Sequence, residues 1–179
     1  PPASRSTRSS PPRGRPSAAP KFELNLAVLD AYTANIASSG VNVLWIAGGF
    51  GQFDALTLTE RKALAAAWVP ICKKYKLYTI VHVGTTVQEE AMDLAAHAAS
   101  VGADSIASVP PYYEHARGLE GLAQWLQPIV NASNNLPFFY YNIPGETHVT
   151  ISVTDFMPIV TKLIPSFAGV KWVSHDQHD

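Results

Sequence analysis

The sequence predicts an α/β fold built on a parallel sheet. Segments with helical apolar periodicity alternate with short apolar runs from residue 24 onward. The short runs are apolar at consecutive positions, so both faces of each strand are covered, as in parallel sheets flanked by helices. Turn and capping residues fall at the joints between the two kinds of segment.

Taken in order, NLAVLDAYTANIASSG reads as a helix stopped by Gly40, and VNVLWIA (41–47) as a buried strand. In TLTERKALAAAWVPICKKY, Thr57 and Glu60 have the spacing of a capping box ahead of a long helix, which Pro70 should kink or shorten. LYTIVHV (77–83) is the second strand. The helix after it, TVQEEAMDLAAHAASVG, again offers capping-box spacing, at Thr86 and Glu89. DSIASV (104–109) is the third strand, LEGLAQWLQPIVNA a helix, PFFYYN (137–142) the fourth strand, SVTDFMPIVTKLI a helix and FAGVKW (167–172) the fifth strand.

Two architectures accommodate this alternation: an open doubly wound sheet of five strands, or part of a (β/α)₈ barrel. Either one places function at the C-terminal ends of the strands. Those ends carry Gly48 to Gln52, His82 to Thr85, Pro110 to Tyr113, Tyr141 to Pro144, and Lys171.

Composition narrows the function classes. A chain of 179 residues, 47% hydrophobic, is sized for one domain, over residues 21–179. Its apolar runs are far short of the roughly 20 residues that span a bilayer, so no membrane segment is expected. Residues 1–21 hold five of the thirteen Lys and Arg and no acid, whereas the remainder sets eight basic side chains against all fourteen acids. That mildly acidic body argues against nucleic-acid binding. PPASRSTRSSPPRGRPSAAP (1–20) has no apolar periodicity and no secretory h-region, and is expected to be a disordered tail. It is Arg-rich and acid-free like a transit peptide, but its prolines oppose the helix such peptides form. A single cysteine, Cys72, excludes an intrachain disulfide and suits a reducing, cytoplasmic setting.

The chemistry-bearing candidate is Lys171, at the end of SFAGVKW. One reading is a packed stem with its ammonium at water. The other is a Schiff-base lysine: an amine desolvated at an apolar mouth has a lowered pKa and attacks carbonyls. Tyr141, at the end of the preceding strand, can bring a phenol to the same mouth as a proton shuttle. The turn AGGFGQF lacks GxGxxG spacing and any P-loop, yet its glycines allow a backbone anion nest for a carboxylate. His82 reads as a core imidazole, His97 as helical, and His115 and His148 as loop residues. The terminal His175, Asp176, His178 and Asp179 are not assigned a metal, and no Ser/His/Asp triad stands out.

These residues carry a resemblance. The turn before LTLTER, IVHVG, AAHAASVGADSIA, PPYY, LPFFYYNIP and FAGVKW occur in the order and spacing of the N-acetylneuraminate (sialic acid) lyases, within the class I aldolase superfamily that includes dihydrodipicolinate synthase. YYNIP followed about thirty residues later by GVK is the specific part. The resemblance implies a (β/α)₈ TIM barrel, usually homotetrameric and needing no cofactor, with Lys171 as the imine-forming residue and Tyr141 as proton donor and acceptor. The implied reaction is reversible retro-aldol cleavage of N-acetylneuraminate to N-acetylmannosamine and pyruvate.

Against the family pattern, Gly49 and Phe50 occupy the carboxylate-binding positions where the family has hydroxyl side chains. Gln52 stands for an acid, and Val173 for a frequent Ser or Thr near the substrate. The family's first strand falls on the Pro/Arg/Ser tail and its last two strands beyond the lysine strand, so a truncated barrel with about five recognisable strands is expected. An alternative expectation follows: a catalytically impaired homologue acting as a binding or oligomer-modulating subunit.

Overall fold

The computed structural model describes residues 23–173; the tail at 1–20 and the terminal His/Asp cluster lie outside the described residues. Five parallel strands, β1 (Val43–Ile46), β2 (Tyr78–His82), β3 (Ser105–Ser108), β4 (Phe138–Asn142) and β5 (Phe167–Trp172), form one sheet in chain order β1-β2-β3-β4-β5. The helices are α1 (Leu29–Ser38), α2 (Leu58–Lys74), α3 (Gln88–Ser100), α4 (Gly118–Ala132), the single turn α5 (Pro144–Thr147) and α6 (Val153–Leu163). The strand order separates the two expected architectures. A doubly wound sheet reverses direction at a switch point, whereas each strand here is added beside the last, and α1, α2, α3, α4 and α6 pack side by side in the same sequence. This is barrel winding.

The core lies between the helices and one face of the sheet. Ile46, Val81, Ile106 and Phe138 are register partners across four strands and all are buried in this core, each next to aliphatic residues of the helices such as Val69, Leu94, Leu126 and Val160. Because side chains alternate along a strand, the neighbouring positions Trp45, Ile80, His82, Ala107, Phe139 and Tyr141 share the opposite, inner face.

One irregularity sets which face Lys171 takes. Between β4 and β5 the register jumps, pairing Phe138 with Phe167 but Phe139 with Gly169, so that Ala168 is an extra residue. Gly169 takes φ +156° there, a conformation that favours glycine. Beyond the bulge Val170 pairs with Tyr140 on the core face and Lys171 pairs with Tyr141 on the inner face. Without the extra residue, Lys171 would lie opposite Asn142 and face the helices.

Local signals were mostly followed. Thr57 and Glu60 form the expected capping box: Thr57 N–H donates to Glu60 Oε2 at 2.8 Å and Glu60 N–H to Thr57 Oγ1 at 3.2 Å. Three expectations are corrected. Of the kink or shortening expected at Pro70, the shortening does not occur: α2 runs 17 residues through it, because Ala65, Val69 and Cys72 bury the helix against its neighbours and outweigh one lost hydrogen bond. Thr86 and Glu89 form no capping box: α3 starts later, with Val87 at its N-cap, and Thr85 Oγ1 instead donates to Glu90 Oε2 at 3.2 Å. β1 is shorter and less buried than a core strand, with Val43 48% exposed, since β2 is its one neighbour among the described residues. No described helix is long and apolar enough to cross a membrane. Cys72 is fully buried, and burial, with help from the nearby Asp104 charge, pushes its thiol up to about 11.

Candidate active site

Lys171 and Tyr141 meet because β4 and β5 are adjacent and the bulge sets their parity. Lys171 Nζ lies 3.9 Å from the centroid of the Tyr141 ring and 4.6 Å from that of Trp45, whose ring packs edge-on against Tyr141 at 5.5 Å. The ring faces favour an ammonium, but burial disfavours it and lowers the Lys171 pKa below the ordinary 10.5. Neither of the two ion pairs among the described residues involves Lys171. Burial, then the charge of Glu146, raises the Tyr141 phenol above its ordinary value, so it rests protonated.

A cavity of about 580 Å³ opens at these strand ends, and Gly49, Phe50, Tyr141, Lys171 and Val173 all line it. The five residues singled out in the sequence therefore share one space, though not in equivalent ways. A Cβ on Gly49 would sit 3.3 Å from the Tyr141 hydroxyl, so this glycine is against the phenol. The Phe50 side chain stands fully in solvent, and Val173 is 41% exposed at the rim.

The turn after β1 has a left-handed residue at each end. Ala47 and Gln52 take left-handed conformations, φ +54° and +48°. Gly51 and Gln52 N–H groups close the turn on Gly48 and Gly49 carbonyls, both at 2.9 Å. Gly49 and Phe50 N–H groups have no protein acceptor among the described residues, which leaves them as donors for an anion.

Several contributors were not singled out in the sequence. Asp54, Tyr112 and Glu146 also line the cavity, and Trp45 supplies the second ring beside the amine. Trp45 could have been found from strand alternation, because it lies one residue before core-facing Ile46. Arg61 is 5% exposed inside the fold; Nη1 donates to the Gly84 carbonyl at 3.0 Å and Nη2 to the His82 carbonyl at 2.8 Å. Its signal was a charged residue on the buried stripe of α2, four before Ala65 and eight before Val69. Burial brings its guanidinium down to about 10. His115 and His148 line a separate cavity of about 510 Å³. Among the described residues no group of His, Cys, Asp and Glu is placed to hold a metal ion.

Gly84 follows β2 at the floor of this region and tolerates no side chain. A Cβ there would lie 2.7 Å from Val109 Cγ2, 2.8 Å from the Val109 backbone nitrogen and 2.9 Å from His82 Nε2. Because backbone is among the obstacles, Gly84→Ala is expected to destabilise the protein by about 2–3 kcal/mol, read as a lower urea midpoint at unchanged slope.

With this geometry in place, comparison with known proteins is informative. Residues 20–178 match the model of the dihydrodipicolinate synthetase family. The chain is 37% identical over 151 residues to N-acetylneuraminate lyase A of Xenopus laevis, covering 84% of this chain and 50% of that protein. To N-acetylneuraminate lyase of Danio rerio it is 36% identical over 158 residues, 88% of this chain and 52% of that protein. Among solved structures, N-acetylneuraminate lyase (sialic acid aldolase) from Aliivibrio salmonicida superposes with a TM-score of 0.81 at 26% identity, and dihydrodipicolinate synthase from Cyanidioschyzon merolae with 0.78 at 26%. Each covers 86% of this chain and 51% of the other. The chain thus spans about half the length of the relatives it matches, and its five-stranded winding is that of a (β/α)₈ TIM barrel. By family match, sequence identity and fold together, the chain belongs to the dihydrodipicolinate synthetase family.

Proposed function

We propose that this chain carries the imine-forming centre of a class I aldolase of the N-acetylneuraminate lyase type, cleaving N-acetylneuraminate reversibly to N-acetylmannosamine and pyruvate. The observation that carries the reading is the register pairing of Lys171 with Tyr141, which puts a half-buried amine 3.9 Å from a phenol ring in one cavity. The neutral Lys171 amine adds to the C2 ketone of the open-chain sugar acid. Tyr141 protonates the departing hydroxyl, water leaves, and a protonated imine remains. The Tyr141 phenolate then takes the proton of the C4 hydroxyl while the C3–C4 bond breaks and its electron pair moves to the iminium nitrogen. N-acetylmannosamine departs, Tyr141 returns the proton to C3 of the enamine, and hydrolysis of the imine releases pyruvate and the free amine. The Gly49 and Phe50 N–H groups hold the substrate carboxylate. A homotetramer in the cytoplasm belongs to the same reading, on resemblance to the family.

Incubation with pyruvate and borohydride, followed by peptide mass mapping, tests this. A reduced adduct on Lys171 is expected. A second reading, an impaired subunit that binds or modulates an oligomer, is favoured by the lack of hydroxyls at Gly49 and Phe50; no adduct at saturating pyruvate would select it. The pH dependence is a further expectation. Because burial lowers the Lys171 pKa, the neutral amine becomes available at lower pH than for a free lysine. The initial rate of adduct formation, measured from about pH 6 to 11.5, should rise and level off below the ordinary 10.5. A rise that continues through 10.5 would contradict a desolvated amine.

A further inference from the structure

The histidine of IVHVG has no part in the steps above, yet it is buried with its ring against Tyr141 of the cavity. His82 ends β2 and is 1% exposed. Its Nδ1 lies 3.0 Å from the Ala47 carbonyl oxygen and, in a longer contact, 3.5 Å from Arg61 Nη2, which already donates to the His82 carbonyl at 2.8 Å. A carbonyl only accepts, so Nδ1 carries the hydrogen and donates it, and Nε2 is the unprotonated nitrogen. Nε2 is buried without a partner among the described residues. Burial, reinforced by the charge of Arg61, keeps the imidazole neutral well below its ordinary titration range.

The ring is packed on several sides. Arg61 holds the backbone at and just after it, through the His82 and Gly84 carbonyls. Phe53 packs edge-on against one part of the ring at 4.5 Å between centroids, and Tyr141 against another at 5.8 Å. At the far end of the hydrogen bond is Ala47, a residue with a Cβ held at φ +54°. A non-glycine residue stays in that region only when its surroundings hold it. Ala47 directly precedes Gly48, Gly49 and Phe50, the turn whose free N–H groups stand in for the absent hydroxyls.

We propose that His82 is a positioning residue for carboxylate capture: its Nδ1–H holds the Ala47 carbonyl, and with it the left-handed turn that orients the Gly49 and Phe50 N–H groups, while its ring abuts Tyr141. This inference rests on the aldolase reading. Because no side chain of the Gly49–Phe50 pair can hydrogen-bond the carboxylate, backbone orientation carries the whole contribution of that turn, and a residue fixing it controls affinity for the keto acid.

The test compares His82→Phe, which keeps a ring and removes the donor, with His82→Asn, whose amide N–H falls where Nδ1–H was. The readout is the pyruvate concentration giving half-maximal borohydride adduct on Lys171, with thermal melting recorded alongside. His82→Phe is expected to need about 10- to 30-fold more pyruvate while reaching the parent's maximal adduct, and His82→Asn to stay within about threefold of the parent. Should His82→Phe be insoluble, His82→Met, a flexible donorless filler, is read in its place. Half-saturation by the donorless variant at the parent's concentration overturns the inference, as does equal impairment of His82→Asn at unchanged melting temperature. A parent protein that forms no adduct overturns the aldolase reading itself, so the two failures are told apart.

Discussion

Replacement of Lys171 by arginine is expected to abolish the borohydride-trapped pyruvate adduct and to lower cleavage of N-acetylneuraminate by at least about a thousandfold, roughly 4 kcal/mol of transition-state stabilisation. Arginine is the informative choice. Its guanidinium keeps a cation against the Trp45 and Tyr141 rings, 4.6 and 3.9 Å from the present amine, so the packing that holds the strand end is retained. It does not deprotonate and therefore supplies no nucleophile. Lys171 is half-buried and in neither ion pair among the described residues, so unfolding free energy should move by less than about 1 kcal/mol. Loss of activity at unchanged stability assigns the chemistry to the amine. Cleavage at the parent's rate, or an adduct that maps to another lysine, would remove Lys171 from the mechanism.

Tyr141→Phe is the second large effect, expected to lower kcat by about 10²–10³-fold, in the range of general acid–base catalysis. The substitution removes one oxygen and leaves the edge-on contacts to Trp45 at 5.5 Å and His82 at 5.8 Å intact. The phenol enters the proposed reaction three times, at dehydration of the carbinolamine, at cleavage of the C3–C4 bond and at protonation of C3. Adduct formation from pyruvate alone needs only the first, so trapping on Lys171 should be slowed yet still reach completion, while turnover of the sugar acid falls further. Parallel trapping time courses and steady-state assays check this, and a kcat within about fivefold of the parent would exclude Tyr141 as the proton carrier.

The particular residues show how far a reading of the chain reaches. Thr57 and Glu60 cap α2 as expected, because a capping box is made by residues three apart on one turn. The same pattern at Thr86 and Glu89 misleads, since it cannot distinguish a helix that starts at Gln88 with Thr85 bound to Glu90. In the sequence, nothing separates Arg61 from the other charges on its helix. Its burial depends on carbonyls of Gly84 and His82, more than twenty positions along the chain, whose direction only the folded β2 end defines. His82, expected to be a satisfied core imidazole, is satisfied at Nδ1 only, and its acceptor, the Ala47 carbonyl, lies 35 residues away.

By itself the sequence determined the β/α alternation, and it pointed to the strand ends that border the cavity and to Lys171 and Tyr141 among their residues. All of these are written in local periodicity, in caps and turns, and in short quoted motifs. Tertiary structure alone decided the winding β1 to β5 without a reversal, and the extra residue at Ala168 that turns Lys171 toward Tyr141 rather than toward the helices. It also joined Ala47, His82 and Arg61 into one support for the turn. The physical reason is one of range: helix and strand patterns repeat over two to four residues, whereas register and parity are set by how neighbouring strands pack, and a shift of one residue reverses every side chain.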